Sequence, residues 1–266
     1  MPANETGDLR EPLEAIMRKA GELARETARR PFKRWTKDAD HSPVTEADIV
    51  VNEFLHGQLS TLLPGAGWLS EESQDQLPDR ALPLAWIVDP IDGTRAFISG
   101  RADWSISVAL AEHGRPLTAA LYAPVTDEMF LVSRGGGATV NGVPIRTTSG
   151  ELNGARLAGP RRYLDRLSTL TPGILVQPKV HSLALRIARV AQGALDAAIA
   201  SGGSHDWDLA AADLLVHEAG GALTDFVGRP LKYSKPQSAH GALIAAGYSR
   251  HTALIGLVRD RETEFA

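Results

Sequence analysis

Leu13, Ile16, Met17, Ala20, Leu23 and Ala24 recur at helical spacing between Leu9 and about Arg30. That periodicity predicts a helix with one apolar face, and Pro31 favours a stop just beyond it. The polar stretch KRWTKDADHSP (33–43) breaks the pattern and reads as an exposed loop. A second helix is predicted from near Thr45 to about Leu63, with Val51, Leu55, Leu59 and Leu62 on one face and Pro64-Gly65 ending it. LAWIV (84–88) is a short apolar run, read as a buried strand. From Trp104 to Arg146 the texture changes to that of an antiparallel meander. SISVALAE alternates, HGRP turns, LTAALYAP and EMFLVS read as strands, and Asn141-Gly142 is a two-residue hairpin signal.

The second half alternates differently. Ser182 to about Gly193 reads as a helix, LDAAIA as a strand, and Leu209 to Ala219 as a helix closed by Gly220-Gly221. ALTDF and GALIAAG read as further strands. A boundary is expected near residue 150, with helices and an antiparallel sheet in 1–150 and a more α/β half in 151–266.

The chain has 266 residues, 43% of them hydrophobic and 23% charged, with a formal net charge of −4, close to an ordinary soluble globular protein. The basic stripe of a nucleic-acid-binding surface is missing. There is no cysteine, which excludes disulfides, thiolate metal sites and a cysteine nucleophile. No stretch approaches the roughly 18 apolar residues of a membrane span, and the N-terminus lacks the apolar run of a signal peptide. A cytoplasmic location is the expectation.

Carboxylates gather in four islands: Thr45-Glu46-Ala47-Asp48, Ser70-Glu71-Glu72-Ser73, Asp89-Pro90-Ile91-Asp92-Gly93-Thr94 and Asp206-Trp207-Asp208. Each sits where an apolar element meets a loop. Each also has a plain structural reading: a capping box at Thr45–Asp48, solvated surface at Glu71-Glu72, a turn after a strand at Asp89–Thr94, and helix-start decoration at Asp206 and Asp208. Proline 90 stiffens the third island. Ile91 is expected to point to the core and leave its carbonyl free, and Thr94 to start a helix whose amides suit a phosphate. If Glu71, Asp89, Asp92 and Asp208 converge, each pair of charges at about 4 Å repels by about 4 kcal/mol at an effective dielectric near 20. Such a cluster needs cations, and an all-oxygen donor set favours a hard ion such as Mg²⁺.

Taken together, SPVTEAD (42–48), EES (71–73), DPIDGT (89–94) and WDLAAA followed by EAGG (207–221) resemble the inositol monophosphatase family, which includes the bacterial 3'(2'),5'-bisphosphate nucleotidases. Order and spacing match across nearly the whole chain. The resemblance implies an α/β (α+β) fold, a layered α-β-α-β-α sandwich, and a Mg²⁺-dependent phosphatase with two or three ions. It implies that Glu71, Asp89, the Ile91 carbonyl, Asp92 and Asp208 ligate metal, with Glu72 supporting them or holding a weaker third ion. Asp48 would bond Thr94, and that pair with Glu71 would orient the attacking water. Gly93 and Thr94 would hold the phosphate of a small monoester. Lithium sensitivity and a homodimer are further implications.

The chain departs from the family pattern at Ser70 and Ala212, where glycine is common. On the substrate side, Ser201 stands where inositol phosphatases carry a glutamate. Arg186 precedes Val190-Ala191-Gln192-Gly193 near the place of a nucleotidase lysine, and reads either as a second-phosphate contact or as a solvated helix face. These features tilt the expectation toward a bisphosphate nucleotide over inositol 1-phosphate. A haloacid dehalogenase reading fails because two residues, not one, separate Asp89 from Asp92. A longer relative, fructose-1,6-bisphosphatase, fits the chain length less well. A binding or regulatory protein on the same fold would be expected to have lost a metal carboxylate, and none is lost. Closure of the loop 33–44 over the site is a further expectation.

Overall fold

The computed structural model describes residues 9–37, 42–76, 83–234, 239–259 and 261. The first helix, α1, spans Arg10–Ala28, and α2 spans Glu46–Leu62. Between them the polar stretch is not simply a loop. Arg34–Thr36 (β1) pairs antiparallel with Pro43–Thr45 (β2), and residues 38–41 lie outside the described residues.

A seven-stranded sheet follows, in the order β3-β4-β5-β6-β7-β8-β9. Its strands are Gly67–Ser70, Leu84–Asp92, Ser105–Glu112, Arg115–Ala123, Glu128–Ser133, Gly137–Val140 and Val143–Pro144. From β4 onward it is the expected meander. β3 is added parallel at the edge, and its short GWLS run carries too little periodicity to be legible in sequence. Asn141 (φ 48°) and Gly142 (φ 77°) form the tight β8–β9 turn.

A five-stranded mixed sheet is ordered β11-β10-β12-β16-β14, from Leu175–Val176, Arg156–Ala158, Ala197–Ala200, Leu243–Gly247 and Gly221–Asp225. A small pair joins Ser204–His205 (β13) to Ala239–His240 (β15). The remaining helices are the short α3 (Thr94–Ile98), α4 (Arg161–Leu170), α5 (Leu183–Ala191), α6 (Asp206–Glu218) and α7 (Tyr248–Arg259).

Period-two alternation sorts the strands' side chains into layers. Trp86, Val88, Ile106, Val108, Leu110 and Tyr122 face α1 and α2. Their neighbours Ile87, Ala109, Ala111, Leu121 and Phe130 face α5 and α6. On the second sheet Ala198, Ala200, Leu243 and Ala245 join that same central core. Ala197, Ile199, Ile244 and Ala246 face α4 and α7 instead. The result is the expected α-β-α-β-α sandwich, and each large side chain buried in it stabilises the fold by about 1.5–3 kcal/mol. No helix among the described residues is long and apolar enough to cross a membrane.

Candidate metal centre and substrate cleft

β4 does not end at Val88 as its apolar run suggests. It continues through Asp89-Pro90-Ile91-Asp92, and its register against β5 slips: Asp89 faces Ser107 while Asp92 faces Ser105. Three steps on β4 match two on β5. In a regular strand residues three apart point to opposite faces, and this bulge brings both aspartates to one face. Ile91 turns fully into the α1–α2 core. Its carbonyl, expected to be free, accepts the Thr94 hydroxyl at 3.1 Å and keeps a second lone pair.

Asp208 arrives from the first turn of α6. The helix begins at Asp206, three residues earlier than its apolar spacing suggests, because Asp208 accepts the His205 N–H at 2.6 Å and caps it. Asp89, Asp92 and Asp208 each offer an oxygen within 4.8 Å of the other two. Asp206 points elsewhere and accepts from Ser234 N and His240 Nε2, both at 2.7 Å.

Burial pushes Asp89 well above the usual carboxylate range, and the charges of Glu71, Asp92 and Asp208 push it further. Asp208 is raised for the same reasons, burial first and then Asp92. Burial also raises Asp92, to about 6, although bonds from Ser182 Oγ, Ala184 N and Leu183 N oppose the rise. Such an arrangement of oxygens, mutually repelling and largely stripped of water, matches the donor set of a hard divalent cation.

Glu71 and Glu72 open a 3₁₀ turn right after β3. Ser70 holds this corner, donating to Asn52 Oδ1 at 2.6 Å and accepting the Glu72 N–H at 3.3 Å. The hydroxyl that departs from the family pattern thus has a local structural use. Glu71 lies close enough to raise all three aspartates, but its carboxylate pairs with Lys37 Nζ at 2.8 Å, as does that of Glu72. Burial lowers the Lys37 pKa, and the two glutamates more than reverse this, holding it above its ordinary value. Lys37 was invisible as a site residue in sequence, being one of three cations in a polar run. Only the need of an acidic site for positive charge hinted at such a group.

Asp48 combines two roles that the sequence set against each other. It closes the capping box of α2, accepting Thr45 N at 2.8 Å and Thr45 Oγ1 at 2.6 Å. Its other oxygen accepts the Thr94 hydroxyl at 3.3 Å. Burial lifts Asp48 to about 7; the Thr45 bonds oppose this, and the charges of Glu72 and Glu71 add to it. Gly93 joins β4 to α3 with a φ of 93°, where a side chain would be strained. A Cβ there would also crowd Ser182 N at 3.1 Å and Asp103 O at 3.3 Å.

Beside Asp92 opens a cleft of about 690 Å³ lined by Arg161, Lys179, His181, Arg186 and Ser201 among others. Arg186 and Ser201, the two substrate candidates from sequence, therefore meet in one place. Arg186 is not a solvated helix residue: its Nε is buried without a hydrogen-bond partner. Burial lowers its pKa, and only Asp92 pulls the other way. Arg161, Lys179 and His181 carry no sequence motif; Arg161 opens α4, and Lys179 and His181 lie in the chain just before α5.

Comparison with known proteins agrees with this geometry. A model of the inositol monophosphatase family matches residues 7–263. The 3'(2'),5'-bisphosphate nucleotidase CysQ of Aggregatibacter actinomycetemcomitans is 31% identical over 248 residues, covering 90% of this chain and 91% of that protein. The inositol monophosphatase of Dictyostelium discoideum is 34% identical over 195 residues, covering 68% and 71%. Among solved structures, the Thermotoga maritima IMPase TM1415 superposes with a TM-score of 0.83 at 26% identity, covering 98% of this chain and 100% of that one. Members of this family act on small phosphate monoesters, and the acidic cluster is where such a protein could hold its metal. The chain belongs to the inositol monophosphatase family and is a metal-dependent phosphoric monoester hydrolase.

Proposed function

We propose that the chain is a Mg²⁺-dependent phosphatase that favours a 3'(2'),5'-bisphosphate nucleotide. The observation that carries the substrate preference is the cationic cleft beside Asp92, where Arg186 has a buried nitrogen without a protein partner. A planar guanidinium there suits a second phosphate, and Lys179 adds charge of the same sign, while Arg161 at the rim is paired with Asp165 at 2.7 Å. Ser201 gives the cleft no carboxylate at the place where inositol phosphatases carry one. Glu71, Asp89, the Ile91 carbonyl, Asp92 and Asp208 would hold the metal, with Glu72 beside them, and the set would take two or three ions. Ligation by Glu71 would take its carboxylate from Lys37.

Divalent cations held there would lower the pKa of the attacking water and offset charge on the leaving oxygen. The chain's own groups do the rest. With the Ile91 carbonyl turned to a cation, the one Thr94 hydrogen would go to Asp48 Oδ1 alone, which leaves the hydroxyl's lone pairs to receive a hydrogen from the water. With Glu71 this pair aims the water at phosphorus. The amides of Gly93 and Thr94 hold the phosphate, and positioning of this kind carries most of phosphoryl transfer. A homodimer and lithium sensitivity belong to the same proposal and rest on the family resemblance; a cytoplasmic location belongs to it too and rests on the sequence pattern.

Inositol 1-phosphate is the second reading, supported by the Dictyostelium discoideum relative. Phosphate release from 3'-phosphoadenosine 5'-phosphate and from inositol 1-phosphate, across a Mg²⁺ titration, separates the two. A clear preference for the nucleotide is expected. A preference for inositol phosphate would overturn the nucleotide reading, and no Mg²⁺-dependent release from any phosphate ester would favour the regulatory-protein alternative.

A further inference from the structure

Asp103 and His181 form a pair that the metal chemistry leaves unused. Asp103 Oδ2 accepts the His181 backbone N–H at 2.9 Å and lies 2.7 Å from its Nδ1. The same carboxylate accepts Arg101 Nε at 2.9 Å, and the Asp103 carbonyl accepts Ser182 N at 3.1 Å. Burial acts to raise the Asp103 pKa, but the bonds from His181 and Arg101 outweigh it and hold the group down to about 2. An ionised carboxylate has no hydrogen to give, so Nδ1 carries the hydrogen of this contact. Tautomer and ring orientation are thereby set.

This pair sits at the edge of the catalytic loop. The position that a Cβ on Gly93 would take lies 3.1 Å from Ser182 N and 3.3 Å from Asp103 O, so the Asp103–Ser182 contact packs directly on the turn expected to hold the scissile phosphate. The two residues then part. Asp103 lines a hollow of about 580 Å³ on one side, and His181 lines the cleft with Arg186 and Ser201 on the other. With Nδ1 engaged by Asp103, Nε2 is the ring nitrogen left to meet an occupant of the cleft that His181 lines.

We propose that His181 is a specificity-determining residue: its Nε2 accepts a hydrogen bond from a hydroxyl on the carbon next to the phosphate-bearing carbon of the substrate. Asp103 is its positioning residue, acting through the ring. The inference rests on the reading of this cleft as the place of the substrate's alcohol portion. It does not depend on which alcohol, since a ribose 3'-phosphate and an inositol phosphate both carry such a hydroxyl.

The test is a discrimination ratio: kcat/KM for adenosine 3',5'-bisphosphate over that for its 2'-deoxy analogue, with the Mg²⁺-loaded full chain. In the wild type the ratio is expected at about ten, the order of one hydrogen bond. His181→Ala should bring it to about one, with KM for the ribose compound rising more than kcat falls. Asp103→Ala should lower the ratio in part, and His181→Gln, which keeps an acceptor, should restore part of it. A wild-type ratio near one, a ratio that persists in His181→Ala, or equal losses on both compounds would overturn the proposal. If His181→Ala melts below the assay temperature, the His181→Gln ratio decides on the same terms. If the chain hydrolyses neither nucleotide but does hydrolyse inositol 1-phosphate, the nucleotide preference has failed, and the same ratio taken with the 2-deoxy inositol phosphate judges His181 separately.

Discussion

The Thr94 hydroxyl shares its one hydrogen between Asp48 Oδ1 at 3.3 Å and the Ile91 carbonyl at 3.1 Å, tying the start of α2 to the strand that carries two of the clustered aspartates. The contact places a buried carboxylate behind a hydroxyl that no aspartate of the cluster needs for its own position. Thr94→Ala should therefore lower kcat by about 100-fold, the low end for loss of a proton-transfer group, while Mg²⁺ affinity by calorimetry changes by less than about threefold. Equal losses in rate and affinity would show that Thr94 acts on the metal site and not on the water.

Asp89 is flanked by Asp92, Asp208 and Glu71, and it anchors its own loop by accepting Ile91 N at 3.0 Å. Asp89→Asn keeps the shape and removes a charge from the centre of the cluster. Changes one layer outside a metal site cost about 10–100-fold, so loss of a ligand should cost at least about 100-fold in turnover. The metal-free variant should melt higher than the metal-free wild type, because a buried repulsion has gone. Near-normal turnover would remove Asp89 from the ligand set.

The raised carboxylates make a definite prediction for stability against pH. Asp48 sits at about 7 and Asp92 at about 6, both raised mainly by burial, against an unfolded value near 3.9. Between these values the folded chain binds more protons than the unfolded one. The contribution of these groups is therefore fully present below about pH 4 and is lost as pH rises through 6 to 7. With chelator present, the melting temperature should fall between pH 5.5 and pH 8. Added Mg²⁺ should raise it more at pH 8 than at pH 5.5, since protons compete for the same oxygens. Asp103 and Asp196, both held down to about 2 by bonds that outweigh their burial, act oppositely and only below about pH 4. A chelated protein whose melting point climbs from pH 5.5 to 8 would refute the clustered charges.

Much of this site was legible in sequence because its residues sit in short motifs. DPIDGT and WDLAAA fix Asp89, Asp92 and Asp208 by spacing, and the meander from Ser105 to Pro144 follows from the alternation of SISVALAE, the short apolar runs after it and the Asn141-Gly142 turn. What was not legible depends on contacts between distant segments. The bulge that turns Asp92 to the side of Asp89 exists only against β5. Lys37 meets Glu71 across 34 residues, and Asp103 meets His181 across 78. α4 was legible, since Tyr163, Leu164, Leu167 and Leu170 stand at helical spacing, whereas in α7 Ala253 and Leu257 blur the face made by Leu254, Ile255 and Val258. β3 and β11 were missed because strands of four and two residues show no period.

Lys37 deserves a direct test because it is the cation that the acidic corner already holds. Its ammonium bridges Glu71 and Glu72 at 2.8 Å each, so it competes with a divalent ion for the same oxygens. Lys37→Met keeps most of the apolar stem and removes the charge. Calorimetry should then show Mg²⁺ binding severalfold tighter. Weaker binding would mean that Lys37 supports the metal site and does not compete with it.

Ser182 makes the most specific demand on the arrangement around Asp92. Its hydroxyl donates to Asp92 Oδ2 at 2.6 Å and lies 2.9 Å from Ser105 Oγ. The first amides of α5 bond the same carboxylate, Ala184 N at 2.6 Å and Leu183 N at 3.2 Å. Asp92 is thus aimed from behind by a helix terminus and one hydroxyl, as metal-ligating carboxylates commonly are. Ser182 also accepts Leu185 N at 2.9 Å and so caps α5. Removing the hydroxyl should therefore have two separable effects. Ser182→Ala should lower the melting temperature through the lost cap, worth about 1 kcal/mol, and should weaken Mg²⁺ binding by about tenfold. Ser182→Thr keeps the hydroxyl and should recover both. Loss of stability with unchanged Mg²⁺ affinity would mean that the backbone amides alone hold Asp92. Loss of both without recovery in Ser182→Thr would mean that the extra methyl disturbs the close packing with Gly93, whose missing Cβ already lies 3.1 Å from Ser182 N.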